Sequence, residues 1–193
     1  MSMCPWKVAK GSVCCWLNEE MVTVAGGFLS CVERREDRRS GEITILLHAI
    51  SLIESSGAGQ ECWNLSHRET TSSVGNIETA ELKKTRRLHV KGAISMRELT
   101  PGVLYEVAYE IKVKRGGYGW EHPVTLTLSV PGERARSRRL NFYELPRGEW
   151  IEVKVGEFKT RPGETRQVSF ELLQDEAHDK RDSCLKRSCQ AKT

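Results

Sequence analysis

The sequence predicts an all-β fold: an antiparallel, jelly-roll-like β-sandwich over residues 42–173, with one short helix and disordered ends. Three observations predict it. Five segments alternate apolar and polar residues at period two, glycine- and proline-bearing turns separate them, and only one short stretch has helical character. A strand with one apolar face cannot bury that face alone, and two sheets packed face to face solve the problem.

Residues 43–53 (ITILLHAISLI) open the domain as a mostly apolar strand. Residues 54–79 are rich in Ser, Thr and Gly and read as a long loop holding Trp63 and His67. Residues 77–84, with Glu78, Glu81, Lys83 and Lys84, are the short helix. Leu88, Val90, Gly92 and Ile94 then alternate with Arg87, His89, Lys91 and Ala93. The clearest strand follows, with Val103, Tyr105, Val107, Tyr109, Ile111 and Val113 on one face and Glu106, Glu110, Lys112 and Lys114 on the other. Val124, Leu126, Leu128 and Val130 mark the next strand, Ile151, Val153 and Val155 another, and Val168, Phe170 and Leu172 the last. Turns are expected at Pro101-Gly102, Gly116-Gly117, Pro131-Gly132, Pro146-Arg147-Gly148 and Pro162-Gly163. Residues 1–41 show no sustained periodicity and read as a poorly ordered extension, and residues 174–193 as a charged, disordered tail without a strand.

The chain of 193 residues is long enough for a core without disulfide staples. Its net charge of +4 argues for neither nucleic acid nor an anionic membrane. The seven cysteines have no Cys-x-x-Cys pair, so reduced thiols in a cytosolic or nuclear protein are the simplest account. No long apolar run opens the chain, so no secretory signal is expected. The apolar residues 21–32 fall short of the roughly 20 needed to span a bilayer, so no membrane insertion is expected. The five histidines lack metal-ligand spacing, no nucleotide-binding or serine-hydrolase motif occurs, and neither catalysis nor a cofactor is expected.

Alternation that buries Ile151, Val153 and Val155 places Trp150, Glu152 and Lys154 on the wet face. An exposed indole is a flat platform for the C–H face of a pyranose, and a carboxylate beside it accepts hydroxyl hydrogen bonds. Two readings stay open: a sugar site, or a Trp150 that covers the sandwich edge beside a Glu152 paired to a neighbouring charge. Trp120, before a strand, either binds ligand or plugs the end of the core, and Trp63 is the third aromatic candidate. Two basic clusters, residues 83–87 and a loop at residues 134–139, are either solvated or a phosphate contact, which leaves RNA as an alternative partner.

Several ordered motifs carry a family resemblance: Ile77-Glu78-Thr79-Ala80-Glu81-Leu82, then Leu99-Thr100-Pro101-Gly102-Val103-Leu104-Tyr105-Glu106-Val107, then Tyr118-Gly119-Trp120-Glu121-His122-Pro123, then Gly148-Glu149-Trp150-Ile151-Glu152-Val153-Lys154-Val155-Gly156-Glu157-Phe158. Together they resemble the plant phloem protein 2 family, which includes the tobacco-type jasmonate-inducible lectins. The resemblance implies a nucleocytoplasmic, non-catalytic lectin, in a sieve-element or stress setting. The implied ligands are N-acetylglucosamine oligomers or high-mannose N-glycans of glycoproteins. A homodimer is a further partner left open. It carries the family's ligand-binding tryptophan onto Trp63 and its glutamate onto Glu152, with Trp150 beside it and Glu157 closing the segment. The chain departs from the pattern at Leu65 and Arg87, where the family has tryptophans. Nothing in residues 177–193 matches the family's closing Trp-Lys-x-Gly-Leu strand, so an open sheet edge is expected.

Overall fold

A computed structural model describes residues 32–36, 43–48, 52, 62–71, 75–175, 179–180 and 183–191. Its strands are β1 (Val32–Glu36), β2 (Ile43–His48), β3 (Trp63–Thr71), β4 (Gly75–Leu82), β5 (Leu88–Ser95), β6 (Leu104–Val113), β7 (Val124–Ser129), β8 (Arg136–Leu140), β9 (Ile151–Lys159), β10 (Gln167–Gln174) and β11 (Ser183–Ala191). Every strand pairing between them is antiparallel. They form a sheet of seven strands and a sheet of four, the latter ordered β5-β10-β7-β8. The expected β-sandwich is the observed fold.

The alternating segments fold as their pattern dictates. β5 and β7 bury every second residue, and β6 buries Tyr105, Val107, Tyr109, Ile111 and Val113. The two sheets meet through these faces. The Tyr109 ring of β6 lies 5.8 Å from Phe170 of β10 in an edge-on arrangement. The Tyr109 hydroxyl donates to the carbonyl oxygen of Val90 at 3.3 Å, so a strand of one sheet is hydrogen-bonded to the backbone of the other. Burial raises the Tyr109 pKa well above its usual value, with a further contribution from Glu171, so the hydroxyl keeps its proton as donor.

Three expectations are corrected. The helix over residues 77–84 is instead β4, with Ala80 and Leu82 buried on either side of Glu81. Two helical turns of Glu, Ala, Leu and Lys are too short to sustain themselves, and pairing with β3 and β11 prevails. The long loop contains β3, which makes a hairpin with β4, so Trp63 opens a strand. Residues 54–61 and 72–74 of that loop lie outside the described residues, as does most of the N-terminal extension, whose residues 32–36 form β1 and pair with β2.

The third correction is the largest. The tail contains β11, and β11 is an interior strand. One of its edges pairs with β6 from Ser183↔Val113 to Ala191↔Tyr105. Its other edge pairs with β4 at Ser183, Cys184 and Leu185, and with β2 at Arg187 and Ser188. Ser183 and Leu185 are buried at period two, a signal too short to rise above the surrounding charges. The expected open sheet edge is therefore not found at β6, which is paired on both sides, by β9 and β11.

Removing residues 183–193 is expected to abolish the cooperative urea transition, because β2 and β4 lose the strand that joins them to β6. Leu185→Ala, which only empties a buried site, should instead lower stability by about 2–5 kcal/mol with the transition intact. Unchanged urea midpoints in both proteins would contradict the placement of β11.

Candidate functional site

Strict alternation along β9 runs Trp150, Glu152, Lys154, Gly156 on the outer face, and would turn Glu157 toward the core. A β-bulge changes that parity. Val107 of β6 pairs with Gly156, and the next residue, Ala108, pairs with Lys154, so Val155 is the extra residue. Beyond the bulge Glu157 is exposed, on the same face as Lys154, while Phe158 is buried and stacks on Tyr105 at 5.9 Å. Gly156 turns inward, where a Cβ would stand 2.9 Å from Leu128 Cδ2. A larger residue there would have to displace the end of the Leu128 side chain.

The pairing of β9 with β6 sets Glu152 opposite Glu110, Lys154 opposite Ala108 and Glu157 opposite Glu106. Lys154 Nζ lies 2.5 Å from Glu106 Oε2 and 3.0 Å from Glu157 Oε2. The hydrogen bond to Glu106, then that to Glu157, raises the Lys154 pKa above its usual 10.5. At the start of the strand Lys112 Nζ sits 4.8 Å from the centre of the half-buried Trp150 ring. The face thus offers an indole, several carboxylates and two ammonium groups. The glutamates and Lys112 of β6 already lay on one polar face of a readable strand. What the sequence hid is that β6 is the neighbour of β9, a pairing across more than forty residues.

The basic cluster of residues 134–139, expected in a loop, contains the edge strand β8. Arg136 and Arg138 pair with the inward-facing Leu128 and Leu126 of β7, so their side chains leave toward the opposite sheet. Arg136 Nη2 donates to the Glu157 carbonyl oxygen at 2.6 Å, and Arg138 Nη2 donates to that of Lys154. β9 is the edge of the larger sheet, and these guanidinium groups satisfy carbonyls that no strand covers.

Two aromatic candidates do not reach this face. Trp63 is 6% exposed within the core, and Trp120 is fully buried and stacked on Phe142 at 5.5 Å. Trp120 thus takes the core-plugging alternative, and the binding role expected of Trp63 is corrected to a core position, because neither indole offers a face to a ligand. Trp150, Glu152 and Glu157 are the predicted residues that the strand brings together. Among the described residues no group of three His, Cys, Asp or Glu side chains is placed to hold a metal, and no helix is long and apolar enough to cross a membrane.

Replacing Glu106 by Gln should bring the Lys154 pKa down toward its usual value, read by NMR titration of the lysine side-chain resonances. A raised folded pKa favours the folded state below the unfolded value and loses that contribution as pH rises through the folded value. The Lys154 contacts therefore weaken only in the alkaline range above about 10.5. A Lys154 titration unaffected by Glu106→Gln would contradict the contact.

Comparison with known proteins supplies the family. Residues 42–186 match the model of the family described as Phloem protein 2. The matched span takes in the first residues of β11. "Protein PHLOEM PROTEIN 2-LIKE A1" of Arabidopsis thaliana is 30% identical over 144 residues, covering 74% of this chain and 57% of that protein. A protein named "Lectin" from Luffa acutangula is 29% identical over 153 residues, covering 78% of this chain and 72% of its own length. The chain thus spans less than two thirds of the first of these relatives. Among solved structures, a carbohydrate-binding module in complex with beta-1,4-galactotriose superposes with a TM-score of 0.37 at 14% identity over 64% of this chain and 74% of that one. A cyclase from Fischerella superposes with the same TM-score, 0.37, at 10% identity over 81% and 77%. Superpositions this loose do not choose between binding and catalysis. With the family model covering most of the sandwich, the chain belongs to the phloem protein 2 family.

Proposed function

We propose that this domain is a non-catalytic lectin module that binds N-acetylglucosamine oligomers or high-mannose N-glycans through the outer face of β9. Trp150 supplies the ring against which a pyranose packs, while Glu152 and Glu157 accept hydroxyl hydrogen bonds. The observation that carries the reading is the bulge at Val155, which adds Glu157 to the exposed row of Glu152 and Lys154 that follows the half-buried Trp150. Relatives named as lectins and membership of the family support it. Lys154 braces the carboxylates of Glu106 and Glu157, which lowers the entropy lost when a sugar is held. A nucleocytoplasmic setting in phloem tissue accompanies this proposal, its phloem part supported by the names of the phloem protein 2-like relatives. RNA is the less favoured partner, because Arg136 and Arg138 of the larger basic cluster are engaged by backbone carbonyls.

Calorimetric titration with the N-acetylglucosamine trimer tests the reading. Trp150→Ala and Glu152→Gln should each weaken binding about tenfold or more, a loss of at least ~1.4 kcal/mol. Trp63→Phe, which keeps a core aromatic, should bind as the unaltered chain does. Raising salt from about 50 to 200 mM should leave the affinity of a neutral sugar nearly unchanged, whereas a phosphate-bound ligand would weaken steeply. Folded protein that binds neither this trimer nor a high-mannose glycan would reject the function, and undiminished binding by both β9 variants would reject the site.

A further inference from the structure

A second aromatic platform stands on the loop that leads into β9. The 3₁₀ turn Phe142–Glu144 is capped by Asn141, whose side chain accepts from the Tyr143 backbone N–H at 3.0 Å. Phe142 is buried against Trp120, and this anchor turns the adjacent Tyr143 outward, 60% exposed. The Arg147 guanidinium carbon lies 5.7 Å from the centre of the Tyr143 ring. Arg147 Nη1 donates to the Gly117 carbonyl oxygen at 3.3 Å, and the loop is pinned to β6 by the Gly148 N–H bond to Val113 at 2.7 Å.

A guanidinium has five N–H donors, and Arg147 uses one of them on protein among the described residues. The Tyr143 hydroxyl has no hydrogen-bond partner among them. A fixed aromatic ring with open donors beside it fits a ring-shaped ligand that carries a planar anion. Glu144 and Glu149 are also exposed on this loop, so the anion must be held by directed, bidentate hydrogen bonding rather than by net charge. Arg147 and Trp150 are three residues apart, hence no more than ~11 Å along the chain, within the reach of one oligosaccharide.

We propose that Tyr143 and Arg147 form a second subsite that takes a hexuronate unit, its carboxylate on the Arg147 guanidinium and its ring against Tyr143. The proposal rests on the reading of the domain as a carbohydrate binder. It assigns acidic sugars to this loop and neutral sugars to the outer face of β9.

Titration of the full chain with trigalacturonic acid, in parallel with the N-acetylglucosamine trimer, tests it. Tyr143→Ala and Arg147→Gln should each weaken trigalacturonate at least tenfold and leave the neutral trimer within twofold. Trp150→Ala should do the reverse. Circular dichroism confirms that each variant is folded, and Arg147→Lys, which keeps charge but not the planar fork, should lose most of the affinity as well. If the unaltered chain binds the neutral trimer but not trigalacturonate, the subsite is wrong and the lectin reading stands. If it binds neither, the subsite falls, and the lectin reading falls with it unless a high-mannose glycan binds. Trigalacturonate binding that survives Tyr143→Ala and Arg147→Gln also overturns the subsite. So does a single-stranded RNA that binds more tightly than trigalacturonate and is lost in the same two variants.

Discussion

The fold depends on the last of the described strands. β11 lies between β6 on one side and β4 and β2 on the other, so without it the larger sheet is three unconnected pairs. The backbone groups of an interior strand are satisfied on both edges, and the same bonds satisfy its neighbours. The chain leading into β11 is itself held in place. Thr85 and Lys180 exchange both backbone hydrogen bonds, and the fully buried Lys180 directs its ammonium to the Arg86 carbonyl oxygen. Gly119, at φ +84, passes so close beneath that a Cβ would stand 2.3 Å from the Asp179 carbonyl oxygen. Lys84, at 2.8 Å from Asp179, holds that carboxyl below its usual range and closes the crossing.

The candidate site inherits its geometry from this frame. β6 is held by β11 on one edge and presents the other to β9, so the outer face of β9 rests on a strand that cannot drift. The bulge then decides which side chains reach the wet face. It returns Glu157 to the row of Glu152 and Lys154 and sends Gly156 inward against Leu128. The arginines of β8 finish the arrangement by occupying edge carbonyls of β9, which also removes that edge as a template for pairing with another chain.

Much of the fold was legible. β5, β6, β7, β9 and β10 carry period-two alternation, and their glycine and proline turns fall where the strands reverse. β4 was misread because its Glu, Ala, Leu and Lys composition favours a helix locally, whereas the pairing that overrides it is non-local. β8 shows no apolar alternation in the sequence because its arginines give the strand a charged inward face, as suits an edge. β11 was missed because burial of Ser183 and Leu185 is too faint a pattern among Lys, Arg, Asp and Gln. At the site, alternation sets Glu152 and Lys154 on one exposed face. It had no means of finding the bulge that adds Glu157. Nor does alternation tell a core tryptophan from a half-exposed one, so the burial of Trp63 and Trp120 is not legible in it.

Native-state hydrogen exchange, followed by NMR, tests the central claim most directly. With β11 as an interior strand, the amides of Leu185 and Ser188 should exchange as slowly as those of Tyr109 and Ile111 on β6, through the same global opening. Exchange of the β11 amides at rates typical of an unstructured terminus, while β6 and β9 stay protected, would contradict the account.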